Sequence, residues 1–518
     1  MRRESETLYH RNGIGNRKGE IAVNAYRLVY GDIHNHNALG YGRGSIERSV
    51  ENARSHLDFF AFTGHSSWHD LGDYGGRAAH FTEGFKRLKA TWPHVQKVIA
   101  DSNRDAEFCS FLGFEWHSNF FGDQCVVFPE DFQPLFYTSK LTELRRFCME
   151  RSALMIPHHL GYPSGRRGAN WEAFDEACTP VVEVYSYHGN SEDDRGPYPF
   201  LSGSPGGRQS SNTTQAALKR GLRFGFVGSS DSHSGFPGAY GEGLMAAWVK
   251  ELTRAEILAA IRARRTYALT GDRIEVGFTV DGAMLGSTIA CGRELDVEYS
   301  VEGRDELDCV ELIMDGAVVH RAWPALGSGQ AAVGDTGLMQ VRFEYGWGPW
   351  GSLGVDRITD WVFDVSLSAG EITRVFPCLG SGPFDENRRH RVALEGPRAI
   401  SIRSYTSRMD AYMGNPNHSV VIEFRAPAGA SMIVRRTAPG EARDEVSIDG
   451  LMQQSSHGHV GPVPAESYQL HRIVPRAASR LEGRVRLVAP EGRSHVYLRA
   501  RQKNGHMAWV SPVFVEKR

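Results

Sequence analysis

Histidine and carboxylate side chains recur directly after the short apolar runs in the first half of this 518-residue sequence. In the segment Gly31-Asp32-Ile33-His34-Asn35-His36, two imidazoles stand two residues apart. Residues two apart on an extended chain point to the same side, so such a pair can bind one metal ion. The ends of six apolar runs together supply the candidate metal ligands His34, His36, His65, Glu115, His158, His159, Glu183, His188, Asp231 and His233.

The recurrence of these residues carries more weight than any one of them. A single histidine at a strand end is more often a hydrogen-bonded core or surface residue than a metal ligand. Six run ends that all carry His, Asp or Glu would require repeated coincidence. These ligand types accept zinc, manganese or iron. The sequence therefore predicts a site for divalent metal ions.

Alternating strand-like and helical patterns are expected to position these ligands. Such alternation is typical of an α/β fold built on a parallel sheet or barrel, in which the carboxyl ends of the strands meet on one face. Strands are predicted over residues 26–33, 57–63, 108–116, 153–157, 181–186, 224–228 and 244–249. Helices are predicted over residues 45–56, 81–100, 141–151, 212–220 and 254–264.

The pattern changes after about residue 272, where helical periodicity nearly disappears. Short alternating segments separated by turn residues predict antiparallel sheet and a sandwich-like module. We therefore predict two domains, a metal-binding barrel over residues 1–274 and a β-rich region over 275–518. The Gly- and Trp-rich stretch near 322–356 reads as an insertion.

Composition excludes several classes of partner. The formal net charge is −2, so no overall field would attract nucleic acid or an anionic membrane. No apolar run approaches the length of about 20 residues that spans a bilayer, and the first residues lack the apolar segment of a secretory signal. We expect a cytoplasmic protein that binds neither nucleic acid nor membrane. The seven cysteines contain no Cys-x-x-Cys pair and predict reduced thiols.

These motifs resemble the polymerase and histidinol phosphatase (PHP) superfamily of metal-dependent hydrolases. The matching pieces are His34-x-His36, the segment LDFFAFTGH, Glu115, Ile-Pro-His-His and Asp231-x-His233. The segments EVYSYHG, GSSDSHSGFPG and LTRAEILAAIRARRTYALTGDRI are also similar to the DUF3604 branch. The resemblance implies a distorted (β/α)7 barrel of the PHP type, followed here by the β-rich region.

The same resemblance implies roles for the ligands. His34, His36, Glu115 and Asp231 correspond to the ligands of one metal ion. Glu115 would bridge to a second ion that is completed by His158 or His159 and by either Glu183 or His188. His65 and His233 resemble ligands of a third position found in many relatives.

The sequence departs from the family pattern in two places. Gly64 replaces an aspartate that is generally not a direct ligand. Gly42 and Arg43 stand where relatives with three metals carry Asp or His. Because a cation beside a third divalent ion would be repelled, we favour two ions, with a third left open and Arg43 available for a substrate anion.

A predicted site in which two divalent ions share a carboxylate indicates a hydrolase. The two ions lower the pKa of a bridging water toward neutrality and stabilise the negative charge that develops on a phosphoryl or carbonyl oxygen. The leading hypothesis is therefore a phosphoesterase that acts on a small anionic substrate through a metal-bridging hydroxide. Its catalytic candidates are His233, His65, His188 and Asp231, with Arg43, Arg166 and Arg167 as substrate-binding candidates.

Two other functions remain open at this point. The same binuclear site would suit a hydrolase of amides or other C–N bonds. A function of a different class is a non-catalytic, metal-stabilised scaffold whose β-rich region binds a partner. The completeness of the ligand set argues against the scaffold.

Overall fold

The computed structural model describes residues 25–200, 207–325, 327, 337–346, 358–380, 387–407, 417–461 and 466–517. Strands account for 43% of the structure and helices for 17%. Within the described ranges, a helix of the length and apolar character that a membrane crossing requires does not occur.

The helices lie mainly in the first half of the chain. Four of them begin at a side chain that caps the helix; Ser45, for example, accepts a hydrogen bond from the Arg48 amide, and Thr253 accepts one from the Glu256 amide. The helices are α1 (Ile46–His56), α2 (Ala78–Ser102), α3 (Leu141–Glu150), α4 (Thr214–Lys219), α5 (Arg254–Arg262), α6 (Ile448–Leu451) and α7 (Arg476–Ser479).

The strands of the first 270 residues are β1 (Arg27–Asp32), β2 (Phe59–Trp68), β3 (Cys109–His117), β4 (Gln124–Val127), β5 (Leu154–Pro157), β6 (Val181–Ser186), β7 (Gly189–Asn190), β8 (Gly225–Gly228), β9 (Leu244–Val249) and β10 (Thr266–Leu269). The strands that follow are β11 (Glu275–Val280), β12 (Ala283–Met284), β13 (Thr288–Cys291), β14 (Glu294–Glu302), β15 (Leu307–Met314), β16 (Ala317–Ala322), β17 (Met339–Gly346), β18 (Ile358–Leu367), β19 (Glu371–Cys378), β20 (Arg391–Leu394) and β21 (Ala399–Ser407). The chain ends with β22 (His418–Arg425), β23 (Ser431–Ala438), β24 (Ala442–Ser447), β25 (Ser456–His459), β26 (Ser467–Leu470), β27 (Val474–Pro475), β28 (Arg480–Val488), β29 (Arg493–Gln502), β30 (Met507–Val510) and β31 (Val513–Lys517).

The largest sheet mixes parallel and antiparallel pairs. Its order is β13-β31-β29-β30-β10-β9-β1-β2-β3-β4-β5. The pairs β1–β2 and β2–β3 are parallel, whereas β3–β4, β4–β5 and β1–β9 are antiparallel. Strands β6 and β8 pair in parallel in a separate sheet with β7. Strands β1, β2, β3 and β5 therefore run in one direction, and their carboxyl ends lie at the same edge.

The predicted α/β fold, a distorted (β/α)7 barrel of the PHP type followed by a β-rich region, is wrong. The structure has few helices and many sheets. Antiparallel neighbours interrupt the parallel pairs on both sides of β1 to β3. The predicted elements themselves agree closely with the observed ones. The error lies in how the strands were expected to pair.

Strands from the end of the chain join the strands of the first half. β30 pairs with β10, which pairs with β9. Farther along the chain, strands β17, β18, β21, β22 and β23 share one buried apolar core that includes Phe343 and Trp361. The division at residue 274 stays a prediction. Of the predicted insertion near 322–356, residues 339–346 form β17, while 326, 328–336 and 347–356 lie outside the described residues.

A buried ion pair ties the C-terminal strands to a loop of the first half. Glu192 follows β7, and its carboxylate accepts hydrogen bonds from Arg499 Nη1 at 2.8 Å and Trp509 Nε1 at 2.7 Å. The Tyr497 hydroxyl donates a third bond to it at 2.6 Å. Glu192 is four residues after His188, one of the predicted ligands. Strands β29 and β30 therefore help to fix the loop that carries His188.

Removing the cation of this pair should destabilise the fold. Arg499→Met leaves the Glu192 carboxylate buried without its charge partner, so the free energy of unfolding should fall by about 3–5 kcal/mol. Arg493→Met is the matched control, because Arg493 lies on the same strand with its side chain 78% exposed. Urea denaturation of the two variants checks this. Equal stability in both would contradict a structural role for the Glu192 pair.

Candidate metal centre

Two loop segments bring four predicted ligands together. Residues 34–36, after β1, run beside residues 231–235, after β8, with a parallel bridge between Asn35 and Ser232. The Asp231 amide donates to the His34 carbonyl at 2.8 Å, and the His36 amide donates to the Ser232 carbonyl at 2.8 Å. This pairing places His34 and His36 next to Asp231 although almost 200 residues separate them in sequence.

The Glu115 carboxylate lies at the middle of a cluster of imidazoles. Glu115 extends from the end of β3 and is 1% exposed. Its Oε1 lies 2.7 Å from His158 Nε2. Its Oε2 lies 3.4 Å from His65 Nε2, 3.5 Å from His36 Nε2 and 3.8 Å from His34 Nε2. The ends of β1, β2, β3 and β5 therefore meet at this carboxylate.

The Asp231 carboxylate is the second centre of the cluster. Its Oδ1 lies 3.0 Å from His36 Nε2 and 3.3 Å from His34 Nε2. Its Oδ2 lies 3.2 Å from His188 Nε2 and 3.6 Å from His159 Nε2. His34 and His36 thus lie between Asp231 and Glu115.

The outward nitrogens of several rings contact other groups. His34 Nδ1 lies 2.9 Å from Glu183 Oε2, and His158 Nδ1 lies 3.7 Å from Cys125 Sγ. His188 Nδ1 lies 3.5 Å from the Tyr162 hydroxyl. Partners of this kind fix the tautomer of metal-binding histidines. A proton on each Nδ1 leaves the lone pair of Nε2 directed toward the two carboxylates.

Buried polar atoms without a partner fit a metal centre. Among the described residues, His34 Nε2, Glu115 Oε2 and Asp231 Oδ2 are buried and accept or donate no hydrogen bond. Leaving such atoms unsatisfied costs about 1–3 kcal/mol each, so a ligand is expected there. Three groups with ligand atoms within 4.8 Å of one another share Glu115: His34 with His36, His65 with His117, and Asp123 with His158 and His159. A further group, which does not contain Glu115, is formed by His36, His65 and His233.

The electrostatics of the cluster favour bound positive charge. Burial by itself raises the pKa of Glu115, but the imidazoles of His117 and His158 outweigh it and hold the pKa well below its usual value. Burial also raises the pKa of Asp231, but His34, together with His188 and His36, outweighs it, so that this pKa too lies well below its usual value. Both carboxyl groups are therefore ionised.

The pKa values of the histidines shift in two different directions. Burial and the neighbouring His233 lower the pKa of His36 to about 3. Burial also lowers the pKa of His158, but Cys125 and Glu115 outweigh it and raise the pKa to about 10. The two carboxylates thus attract positive charge, which either a protonated imidazole or a divalent cation can supply.

Two of the candidate ligands have a backbone conformation that is uncommon for residues other than glycine. Asp231 has φ 52° and His159 has φ 53°, in the left-handed region. Such conformations cost about 1–3 kcal/mol and persist where the surrounding structure holds them. Here the hydrogen bond from the Asp231 amide to His34 holds the backbone that aims the carboxylate into the cluster.

The structure separates the predicted residues by position. The cluster contains most of the predicted ligands: Glu115, Asp231, His34, His36, His65, His158, His159 and His188. The His233 ring lies beside it and is 32% exposed. Glu183 lies behind His34, on its Nδ1 side. This placement favours His188 over Glu183 as the ligand from the segment after β6.

The three predicted arginines differ in their surroundings. Arg167 is buried, with its Nε 2.6 Å from Asp123 Oδ2 and its guanidinium 4.9 Å from the centre of the Trp68 ring. Arg166 is exposed. Arg43 is exposed as well, and its amide donates to the His233 carbonyl at 2.8 Å. Arg43 thus lies next to His233 at the protein surface, whereas Arg167 is paired with a buried carboxylate of the cluster.

The predicted set omits two residues of the cluster. His117 Nδ1 lies 3.3 Å from Glu115 Oε1 and 3.2 Å from Asp123 Oδ2. The pattern Glu115-Trp116-His117 contained a signal for His117, because residues two apart on a strand point to the same side. Asp123 follows a loop after β3, and its spacing from the other ligands gave no comparable signal.

Comparison with known proteins supports the resemblance found in the sequence. A family model described as "Protein of unknown function (DUF3604)" matches residues 238–288. An uncharacterized protein of Chlamydia pneumoniae is 26% identical over 260 residues, which are 45% of this chain and 41% of that protein. An uncharacterized protein of Chlamydia trachomatis is 27% identical over 345 residues, or 59% of this chain and 50% of that protein. The chain thus spans half the length or less of these relatives.

A crystal structure from Bacteroides vulgatus is described as a two-domain protein containing a predicted PHP-like metal-dependent phosphoesterase. The match covers 84% of this chain and 99% of that one, with 13% identity and a TM-score of 0.33. A structural likeness at this level supports no conclusion about this chain by itself. The predicted similarity to the DUF3604 family is confirmed by the match over residues 238–288.

Measurements of metal affinity should distinguish the role of Glu115 from that of Glu183. Glu115→Gln removes a carboxylate that three candidate ligand groups share, and most of the bound metal should be lost. Glu183→Gln keeps an oxygen near His34 Nδ1, so metal affinity should fall by only about 10- to 100-fold. Metal content after dialysis, with calorimetric titration, measures both. An equal and complete loss in Glu183→Gln would show that Glu183 is itself a ligand.

Proposed function

We propose that this protein is a metal-dependent hydrolase, and specifically a phosphoesterase that acts on a small anionic substrate. The observation that carries the proposal is the pair of buried carboxylates, Glu115 and Asp231, surrounded by imidazoles whose Nε2 atoms face them. A purely structural core would not place so many unsatisfied polar atoms together.

Two of the ligand groups that contain Glu115 would each hold one divalent ion. His34 and His36, with Asp231, would hold one divalent ion, and Asp123, His158 and His159 would contribute to the second. Zinc, manganese and iron all suit this donor set. A third ion would use His65 and His233, which lie close together beside His36. Metal analysis decides between two and three ions.

When bound, divalent ions supply Lewis acidity, which activates water and neutralises negative charge in the transition state. In the hydrolysis of a phosphate ester, the oxygen of water forms a new bond to phosphorus. The bond from phosphorus to the leaving oxygen breaks, and its electron pair stays with that oxygen. A proton must then reach the leaving oxygen.

Of the three predicted proton donors, His233 has the position that best suits proton transfer to the leaving oxygen. Its side chain is 32% exposed, against 1% for His65 and 6% for His188. Its Nδ1 lies 2.9 Å from the Asp231 carbonyl, so a proton there is donated to the backbone and Nε2 remains for exchange with substrate. His65 and His188 are enclosed among the candidate ligands.

For the substrate anion, the two placements of arginine suggest different roles. Arg43 is exposed next to His233 and would bind the anion directly. Arg167 is already paired with Asp123, and its charge would act on the site from the wall. Arg166, exposed one residue earlier, stays a weaker candidate.

The proposal is tested by turnover after metal reconstitution. Phosphomonoesters, phosphodiesters and amides form the panel, and phosphomonoester hydrolysis is the expected result. Glu115→Gln and Asp231→Asn should lower kcat by roughly 10²–10⁴-fold. Asp101→Asn, at the exposed end of α2, is the control and should keep wild-type turnover. Turnover of amides alone would identify a C–N hydrolase instead. Bound metal without turnover of any substrate would favour the scaffold.

Substitution of Arg43 should affect substrate binding. Arg43→Ala should raise KM for an anionic substrate by about 10- to 100-fold, because a charged hydrogen bond contributes about 1.5–3 kcal/mol, while kcat changes little. Arg220→Ala removes an exposed arginine that is paired with Glu172 and serves as the control. Initial-rate kinetics check both variants. An unchanged KM in Arg43→Ala would exclude Arg43 from substrate binding.

A further inference from the structure

One side of the candidate metal centre is lined by aromatic rings. We call Tyr41, Trp68, Tyr74, Phe81 and Phe85 the aromatic wall. Tyr41 comes from the loop after β1, Trp68 ends β2, Tyr74 lies in a short turn, and the two phenylalanines lie on α2. Tyr41 and Phe81 have ring centres 5.0 Å apart, and Trp68 and Phe81 have centres 5.6 Å apart.

The aromatic wall is continuous with the candidate ligands. The Tyr41 ring stacks on His65 with centres 3.4 Å apart, and His65 stacks on His36 with centres 3.7 Å apart. The Trp68 ring stacks on His117 at 5.2 Å. A group held at the metal centre would therefore have aromatic surface directly beside it.

The glycine at position 84 leaves room for the Tyr41 ring beside the metal centre. Gly84 lies inside α2, where glycine costs about 0.5–1 kcal/mol relative to alanine. A Cβ on Gly84 would lie 3.0 Å from Tyr41 Cδ1 and 3.1 Å from the Gly40 carbonyl carbon. Arg87, one turn later, donates to the Gly40 carbonyl at 2.8 Å. Helix α2 thus holds the loop that carries Tyr41 against the site.

Most of the wall is not fully covered. Tyr41, Tyr74, Phe81 and Phe85 are half-buried, whereas Trp68 is 6% exposed and forms the back of the wall. The partly exposed His233 ring lies 5.6 Å from the Tyr41 ring. Adjacent half-exposed aromatic rings beside a polar cluster are typical of a ligand-binding surface.

We propose that the substrate is an aryl ester of phosphate, an inference that rests on the proposed function. Its anionic group lies at the metal centre, and the aromatic ring attached to the leaving oxygen packs on the aromatic wall. His233 stands between the two regions, where it can reach that oxygen. Aromatic rings pack favourably on one another in offset or edge-to-face arrangements, so this wall prefers an aryl to a small alkyl group.

Binding of non-hydrolysable analogues tests the proposal without turnover. Phenylphosphonate and methylphosphonate carry the same anionic group and differ in the ring. Isothermal titration of the manganese-loaded protein should give an affinity for phenylphosphonate at least about tenfold higher. Phe81→Ala and Phe85→Ala should abolish most of this preference. Phe85→Leu, which keeps apolar volume in α2, should reduce it with less risk to the fold. Trp323→Ala removes a 60% exposed aromatic residue after the edge strand β16 and should leave it unchanged.

The outcomes separate this inference from the proposed function. Equal affinity for the two phosphonates, or a preference that the Phe81 and Phe85 variants retain, would overturn the aryl assignment and leave the phosphoesterase proposal standing. Failure of the metal-loaded protein to bind either phosphonate would overturn both. A preference for phenylphosphonate that the wall variants lose, and the Trp323 variant keeps, supports the aryl ester.

Discussion

Two buried carboxylates set the main constraint on this structure. Glu115 and Asp231 are 1% and 2% exposed, and both remain ionised because imidazoles surround them. Charge buried without compensation is expensive, so the surrounding structure must supply positive charge at this place. Much of the architecture of the first half follows from this requirement, since strands β1, β2, β3 and β5 and the segment after β8 all end at it.

Residues outside the cluster hold the candidate ligands in position. Glu183, Cys125 and Tyr162 contact the outward nitrogens of His34, His158 and His188. Beyond them, the C-terminal strands hold Glu192 through Arg499, Tyr497 and Trp509. The end of the chain is therefore structurally coupled to the site through the loop between His188 and Glu192.

Local features of the sequence were predictable and strand pairing was not. The observed bounds of β1, β6 and β9 and of α1 and α5 follow periodicity and capping, which depend on neighbouring residues. The short strand β4, which the sequence pattern did not predict, runs antiparallel between β3 and β5, and it pairs with residues 8 to 14 positions away on β3 and 27 to 33 positions away on β5. The expected barrel failed for that reason.

The candidate site shows the same division. Ligand types at strand ends were visible in the sequence, because strands that run in one direction bring their ends to one edge. The engagement of Arg167 with Asp123, the position of Glu183 behind His34 and the stacking of Tyr41 on His65 depend on side-chain directions in the folded chain. In ALGYGRG, Arg43 was the predicted substrate-binding residue, whereas the side chain that stacks on a candidate ligand is that of Tyr41.

Anomalous diffraction from crystals of the manganese- or zinc-loaded protein tests the central claim most directly. The account predicts at least two anomalous peaks, one bounded by Glu115, Asp231 and the histidines after β1, and one bounded by Glu115 and His158. Ligand distances should be roughly 2.0–2.3 Å. The absence of any peak at Glu115, or metal bound only elsewhere on the chain, would contradict it.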